Sequence, residues 1–373
     1  MKRTLGLTLL LFATLFSCTR QEKPLPAELS RAESVMWEHP DSALSILRSM
    51  PQSSLSSGKN YATWALLLAQ ARDKVYGKRL PDSLNIPSSD KLVQDAMDYF
   101  EKEGNLKRMA QTYYYKGQLL KDQKKITEAM PFFLKSKEMM TKLDEPLFTY
   151  LICQSLGNTY RYQDLYEESL VQLKDAYQYA LRSGNGERIS YALSELGRTY
   201  VHKNEMDSAL FYFGKSLDNA QRLGNIELEA MAMGELGVVY NKLSQGEKAL
   251  HYTRKELDLC LQISSLHKLP QVYYKIGSAF WSLGQLDSAK VYFQKSLETD
   301  NLYTLNEAYE VLYYICVEQK LYKEAIEYNN QYLIYSDSLQ VINHAGELAE
   351  IQARYDHERL LNINNQLKLE KTN

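Results

Sequence analysis

Glycine recurs along this chain at positions 117, 157, 197, 237 and 277, a constant interval of 40 residues. Other residues keep the same interval. Leu156, Leu196, Leu236 and Ile276 precede four of the glycines, and Leu120, Tyr160, Tyr200, Tyr240 and Phe280 follow three residues after each. Twelve residues after each glycine stands a small side chain: Ala129, Ser169, Ala209, Ala249 or Ala289. Sixteen after, Phe133, Leu173, Phe213 and Phe293 appear, with Thr253 the exception. Gly104-Asn105, Gly184-Asn185 and Gly224-Asn225 run in phase. Such self-similarity means one supersecondary unit stacked along an axis. The unit is helical: 17 Gly and 9 Pro are few for 373 residues, and no alternating β-branched run reads as a strand. Glycine costs a helix interior about 1 kcal/mol against alanine, so five in phase imply a side chain of a partner helix crossing there.

These residues resemble the tetratricopeptide repeat (TPR). In that family a small residue at position 8 and another at position 20 let two antiparallel helices touch. The resemblance implies an all-α, right-handed α-solenoid of about eight TPR-like hairpins, with a unit of 40 residues in place of the usual 34. The extra length fits a longer second helix and the Gly-Asn turn, where glycine suits a left-handed cap. Asp207 and Asp287 stand where second helices should start, as N-caps. Residues 29–104 read as degenerate N-terminal hairpins, the first matching Asp41-Ser42-Ala43 and the second carrying a long loop from Arg79 to Asp90. Residues 105–338 form the regular array, with Ala325 marking a sixth unit, and residues 339–373 a charged amphipathic helix. That helix is a cap or a stalk through which a dimer could form.

The N-terminus reads as a targeting segment. Lys2 and Arg3 precede an apolar stretch, Leu5 to Phe16, too short to span a bilayer. Leu15-Phe16-Ser17-Cys18 resembles a bacterial lipobox. It implies a signal peptide over 1–17, an acylated Cys18, a tether over 18–28 and a lipid-anchored protein of the cell envelope that faces the periplasm. Cys153, Cys260 and Cys316 are far apart and read as buried hydrophobes. With 44 basic against 46 acidic residues, the chain lacks the basic excess of a nucleic-acid binder. No catalytic motif, metal-ligand spacing or phosphate loop stands out, so the expectation is a non-enzyme with no cofactor and no metal.

In the TPR family the first helix of each hairpin lines the concave face through positions 2, 5, 9 and 12. Counted from each Gly at position 8, the lining is Gln111, Tyr114, Gln118 and Lys121, then Gln154, Asn158 and Arg161, then Tyr191, Ser194 and Arg198. It continues through Met231 and Asn241 to Gln271, Tyr274, Ser278 and Trp281. Aromatic, amide and cationic groups of this kind suit an extended peptide or protein segment, and Arg161 with Arg198 would grip an acidic one. Of the family's carboxylate clamp only Asn158 is present; its lysine at position 5 is replaced by Tyr114, Gln154 and Ser194. The expected function is a membrane-anchored scaffold with a peptide or protein in its groove. The layout also resembles the TPR sensor regions of Bacteroidetes-type signalling proteins. A nutrient-capture lipoprotein is the remaining alternative.

Overall fold

The computed structural model describes residues 25–76 and 89–339, and these are helical from end to end. The helices pair in chain order. The first hairpins are α1 (Ala27–Val35) with α2 (Pro40–Ser49), and α3 (Gly58–Tyr76) with α4 (Ser89–Glu103). The regular units follow as α5 (Leu106–Asp122) with α6 (Ile126–Lys142), α7 (Pro146–Tyr162) with α8 (Tyr166–Ser183), and α9 (Gly186–His202) with α10 (Met206–Leu223). Then come α11 (Ile226–Lys242) with α12 (Gly246–Gln262), and α13 (Leu269–Ser282) with α14 (Leu286–Ser296). α15 (Leu302–Glu318) pairs with α16, described over 322–339. The signal segment, Cys18, most of the tether, most of the 79–90 loop and the C-terminal amphipathic helix lie outside the described residues. Helix starts at Ala27, inside the span read as tether.

Next-nearest neighbours show which layer is inside. α3 touches α5, α7 touches α9, α9 touches α11, and α11 touches α13, which in turn touches α15. These links join odd-numbered helices. In a curved two-layer array the closer-spaced layer is the inner one, so the odd helices form the concave wall and the even helices the outer layer.

The periodic glycines are crossing points. A methyl group on Gly157 would stand 2.5 Å from Leu173 Cγ, and one on Gly197 would stand 2.6 Å from Phe213 Cε1. The residue sixteen positions on is therefore the side chain that fills each glycine's space. Thr253 serves as well: its hydroxyl donates back to the Ala249 carbonyl at 2.9 Å, and its methyl faces Gly237. The large residue three after each glycine has a partner of its own. Tyr200 stacks on Tyr212 and Tyr240 on Tyr252, each at 5.3 Å between ring centroids, and Phe280 stacks on Tyr292 at 5.4 Å.

The turns follow a half-period. A residue with positive φ recurs every 20 positions: Gly104, Lys124, Asp144, Asp164, Gly184, Asn204, Gly224, Ser244, Ser264 and Gly284. Each ends one helix in the left-handed conformation so that the next can start antiparallel. Asn105, Asn185 and Asn225 cap the following helices by accepting from the backbone N–H of Arg108, Arg188 and Leu228. The Gly-Asn pair thus closes one helix and opens the next. The expected aspartate caps are a correction. Glu205 and Gln285 occupy the cap positions without a side-chain cap bond, and Asp207 and Asp287 sit two residues further on, in the first turn. There their charge complements the helix dipole. Cys153, Cys260 and Cys316 are buried free thiols, and burial pushes Cys153 up to about 12.

Candidate functional site

The concave wall holds the residues that register placed there, in three different states. Tyr114 is core: it is 4% exposed and packs its ring on Phe148 and Phe133. Gln111 and Ser194 are buried too, and Ser194 shares a 3.0 Å hydrogen bond with Ser216. Gln118, Lys121, Gln154, Asn158, Asn241, Tyr274 and Trp281 are half-buried, and Tyr191 is exposed. Gln118 donates to the Tyr114 hydroxyl at 3.0 Å, while its own side-chain oxygen has no hydrogen-bond partner. Asn158, one repeat on, likewise holds an unpartnered buried oxygen. Asn241 accepts from Ser282 at 2.6 Å. Tyr274 and Trp281 meet the Phe293 ring edge-on at 5.4 and 6.2 Å. Burial raises the Tyr274 hydroxyl pKa above the usual phenol value, and Glu307 adds to the shift.

Arg161 and Arg198 do not present free charge. Arg161 Nη1 lies 2.8 Å from Glu195 Oε2, close but off the hydrogen-bond direction. Glu195 Oε1 accepts from Arg198 Nη1 at 2.7 Å, and Arg198 Nε donates to Glu235 Oε1 at 2.7 Å. The result is a ladder, Arg161–Glu195–Arg198–Glu235, running across α7, α9 and α11. Burial works against the Arg198 charge, but Glu235 and then Glu195 outweigh it and hold the guanidinium firmly protonated. The expectation that these two arginines grip one acidic segment meets a chain of alternating charges that offset one another within the protein. Sequence reasoning missed Glu195 and Glu235, although they stand 40 residues apart and each lies about one unit after its arginine. The same spacing recurs outside the groove: Lys137 pairs with Asp175, Lys203 with Glu167, and Lys290 with Glu324. Part of the near-balanced charge thus stitches one repeat to the next.

The next repeat holds a carboxylate where its equivalents have small residues. Glu256 on α12 is 6% exposed and occupies the position filled by Ser136, Ala176, Ser216 and Ser296 in the other units. It reaches past Gly234, where a methyl would stand 2.4 Å from its Oε1, and accepts from Lys275 at 2.7 Å. His202 stacks on Tyr166 at 6.1 Å; burial and then Arg161 lower its pKa below the usual histidine value. Outside the groove, an open recess of about 970 Å³ lies between α8, α9 and α10, lined among others by Tyr177, Leu193 and Arg222. Among the described residues no His, Cys, Asp and Glu cluster could hold a metal, and no helix is long and apolar enough to cross a membrane.

Fold, glycine crossings and inner wall match the architecture of tetratricopeptide-repeat arrays. The family model for the tetratricopeptide repeat matches residues 110–139 and 270–301. Solved structures share the fold at low identity. A Signal Transduction ATPase with Numerous Domains (STAND) protein with a tetratricopeptide repeat sensor, from Pyrococcus horikoshii, superposes with a TM-score of 0.64 at 14% identity, over 86% of this chain and 48% of that one. The chain thus spans about half the length of that protein. The apo form of RapI gives 0.62 at 12% identity, over 84% of this chain and 97% of the other. A Rap protein complexed with Competence and Sporulation Factor gives 0.59 at 12%, over 84% and 98%. No curated protein matches the chain.

Proposed function

We propose that this protein is a binding scaffold, not a catalyst, and that it holds an extended peptide or protein segment against its concave wall. The observation that carries the reading is the pair Gln118 and Asn158. Both stand at position 9 of consecutive units on that wall, and each has a side-chain oxygen with no partner in the protein. An unpaired buried acceptor is costly, and once either amide turns toward the groove the backbone N–H groups of an extended segment would satisfy it. Tyr191, Tyr274 and Trp281 offer rings along the same wall. The Rap complex with Competence and Sporulation Factor is a precedent, at the level of the fold, for ligand capture by such an array. We further propose that the array works at the cell envelope, acylated at Cys18; the lipobox-like Leu15 to Cys18 supports this.

The test begins with a partner isolated by pull-down on the tagged protein from its own membranes. Asn158→Ala with Tyr191→Ala should weaken capture at unchanged helicity. Phe211→Ala, on outer helix α10, should leave capture intact. The reverse result moves the binding surface to the outer layer. For the anchor, Cys18→Ala should release the protein from the membrane fraction; a variant that stays detergent-dependent rules the lipid out.

A further inference from the structure

The N-terminal end of the groove holds two cations that carry no carboxylate in contact among the described residues. Trp37, in the turn between α1 and α2, lies with its ring 6.4 Å from Phe148 of α7. Lys74 of α3 places its ammonium 3.5 Å from the centre of that ring, and Arg188 of α9 places its guanidinium 5.0 Å from the same centre. Arg188 also lies 5.2 Å over Tyr150. Among the described residues neither cation closes an ion pair. Asp73 beside Lys74 and Glu187 beside Arg188 act only through space, and Arg188 Nε is buried without a partner. Elsewhere in this groove Arg161 and Arg198 have carboxylates in contact. The contrast is chemical: π faces hold these two cations in place without cancelling their charge.

Burial and then the charge of Arg188 lower Lys74 to about 8, so the pair is held at an electrostatic cost. A carboxylate brought close to either cation would relieve that repulsion, and the guanidinium fork could grip it in two places. Gln118 and the Tyr114 hydroxyl are close by: Arg188 and Asp73 both act on the Tyr114 phenol. We propose that Lys74 and Arg188, both held against the Trp37 ring, form a carboxylate-binding site that takes the acidic end of the bound segment. The site rests on the reading of the concave wall as a peptide surface and fixes the direction of the peptide, with its acidic residues or C-terminus toward α3 and α9. Its residues lie outside the positions at which the family's clamp is found.

Three synthetic peptides test it against the full chain: acetyl-Gly-Asp-Gly-Asp-Gly-amide, acetyl-pentaglycine with a free C-terminus, and acetyl-Gly-Asn-Gly-Asn-Gly-amide. The readout is the indole N–H signal of Trp37 by NMR, assigned with Trp37→Phe. The signal should move with at least one carboxylate peptide and stay still with the amide peptide. Response to the first alone identifies a side-chain carboxylate, and response to the second alone a C-terminus. Lys74→Gln and Arg188→Gln should each weaken binding about tenfold, while Arg188→Lys should keep part of it. Helicity is checked by circular dichroism; where Arg188→Gln loses it, Lys74→Gln and Arg188→Lys carry the test. A Trp37 signal unmoved by either carboxylate peptide, or moved equally in Lys74→Gln, overturns the site. Movement of the Trp281 signal alone overturns it while leaving the groove reading standing. Movement at Trp37 with partner capture unaffected by the inner-wall variants overturns the groove reading instead.

Discussion

The glycine crossings make a sharp experiment because one hairpin contains both a crossing glycine and an open one. Gly197 lies within α9 and Gly214 within α10. Changing either to alanine gains about 1 kcal/mol of helix propensity. At Gly214 a methyl meets nothing within 4 Å. At Gly197 it would stand 2.6, 2.8 and 2.9 Å from three atoms of the Phe213 ring. Carbon atoms prefer about 3.5–4.0 Å, so the ring must retreat by roughly 1 Å. Phe213 is fully buried, so that retreat has to part α9 from α10. Overpacking of this kind costs about 1–3 kcal/mol, which outweighs the propensity gain. Gly214→Ala should therefore raise the urea midpoint followed by circular dichroism, and Gly197→Ala should lower it. Gly197→Leu should lower it further. A Gly197→Ala protein as stable as wild type would mean that the crossing is not tight and that the reason for the 40-residue glycine is wrong.

The turns and the ladder yield further expectations. Lys124 holds φ of 63°, a conformation costly to a branched Cα, so Lys124→Gly should stabilise by up to ~1 kcal/mol in thermal unfolding; a loss of stability would refute the turn assignment. Glu195→Ala leaves Arg161, only 9% exposed, without its counter-ion and should cost about 3–5 kcal/mol, whereas Arg161→Met with Glu195→Leu should recover most of it. Equal stability of the single and double variants would show that the ladder carries no coupling.

The architecture was legible because its signals are steric and recur. A crossing glycine, a small residue twelve on and a ring sixteen on each answer to backbone approach, and backbone approach repeats with the unit. The inner wall was legible as a position but not as a state. Register puts Arg161 and Arg198 on α7 and α9, yet their charge is set by Glu195 and Glu235, a relation between units that counting within one unit does not show. Tyr114 was placed inward and is core, because its ring packs against Phe148 of the next unit. Lys74, Arg188 and Trp37 were missed for a simpler reason: the first lies in a degenerate hairpin, the second before its unit's first position and the third in a turn, so no register points to them.

Exceptions to the repeat are informative when two of them fit each other. Glu256 departs from the small residue its position requires, and Gly234 departs from the larger side chains, Tyr114, Gln154 and Tyr274, at its own position. Either alone would be a defect; together they pass one carboxylate through the inner helix to Lys275. The pairing is incomplete, since one Glu256 oxygen is buried without a hydrogen bond. Burial accordingly raises the carboxyl pKa above the usual glutamate value, with Lys275 pulling the other way. A raised folded-state pKa means that the folded protein holds this proton more tightly than the unfolded chain. The associated stability is present below the ordinary glutamate pKa, about 4.3, and is lost as pH rises through the folded value. Glu256→Gln keeps the shape and cannot ionise, so its stability relative to wild type should climb between pH 4 and pH 7. Urea unfolding of both proteins across that range decides it. A difference that is flat or falls with pH would show that Lys275 fully compensates the burial, and that Gly234 opens a site for a charge at no electrostatic cost.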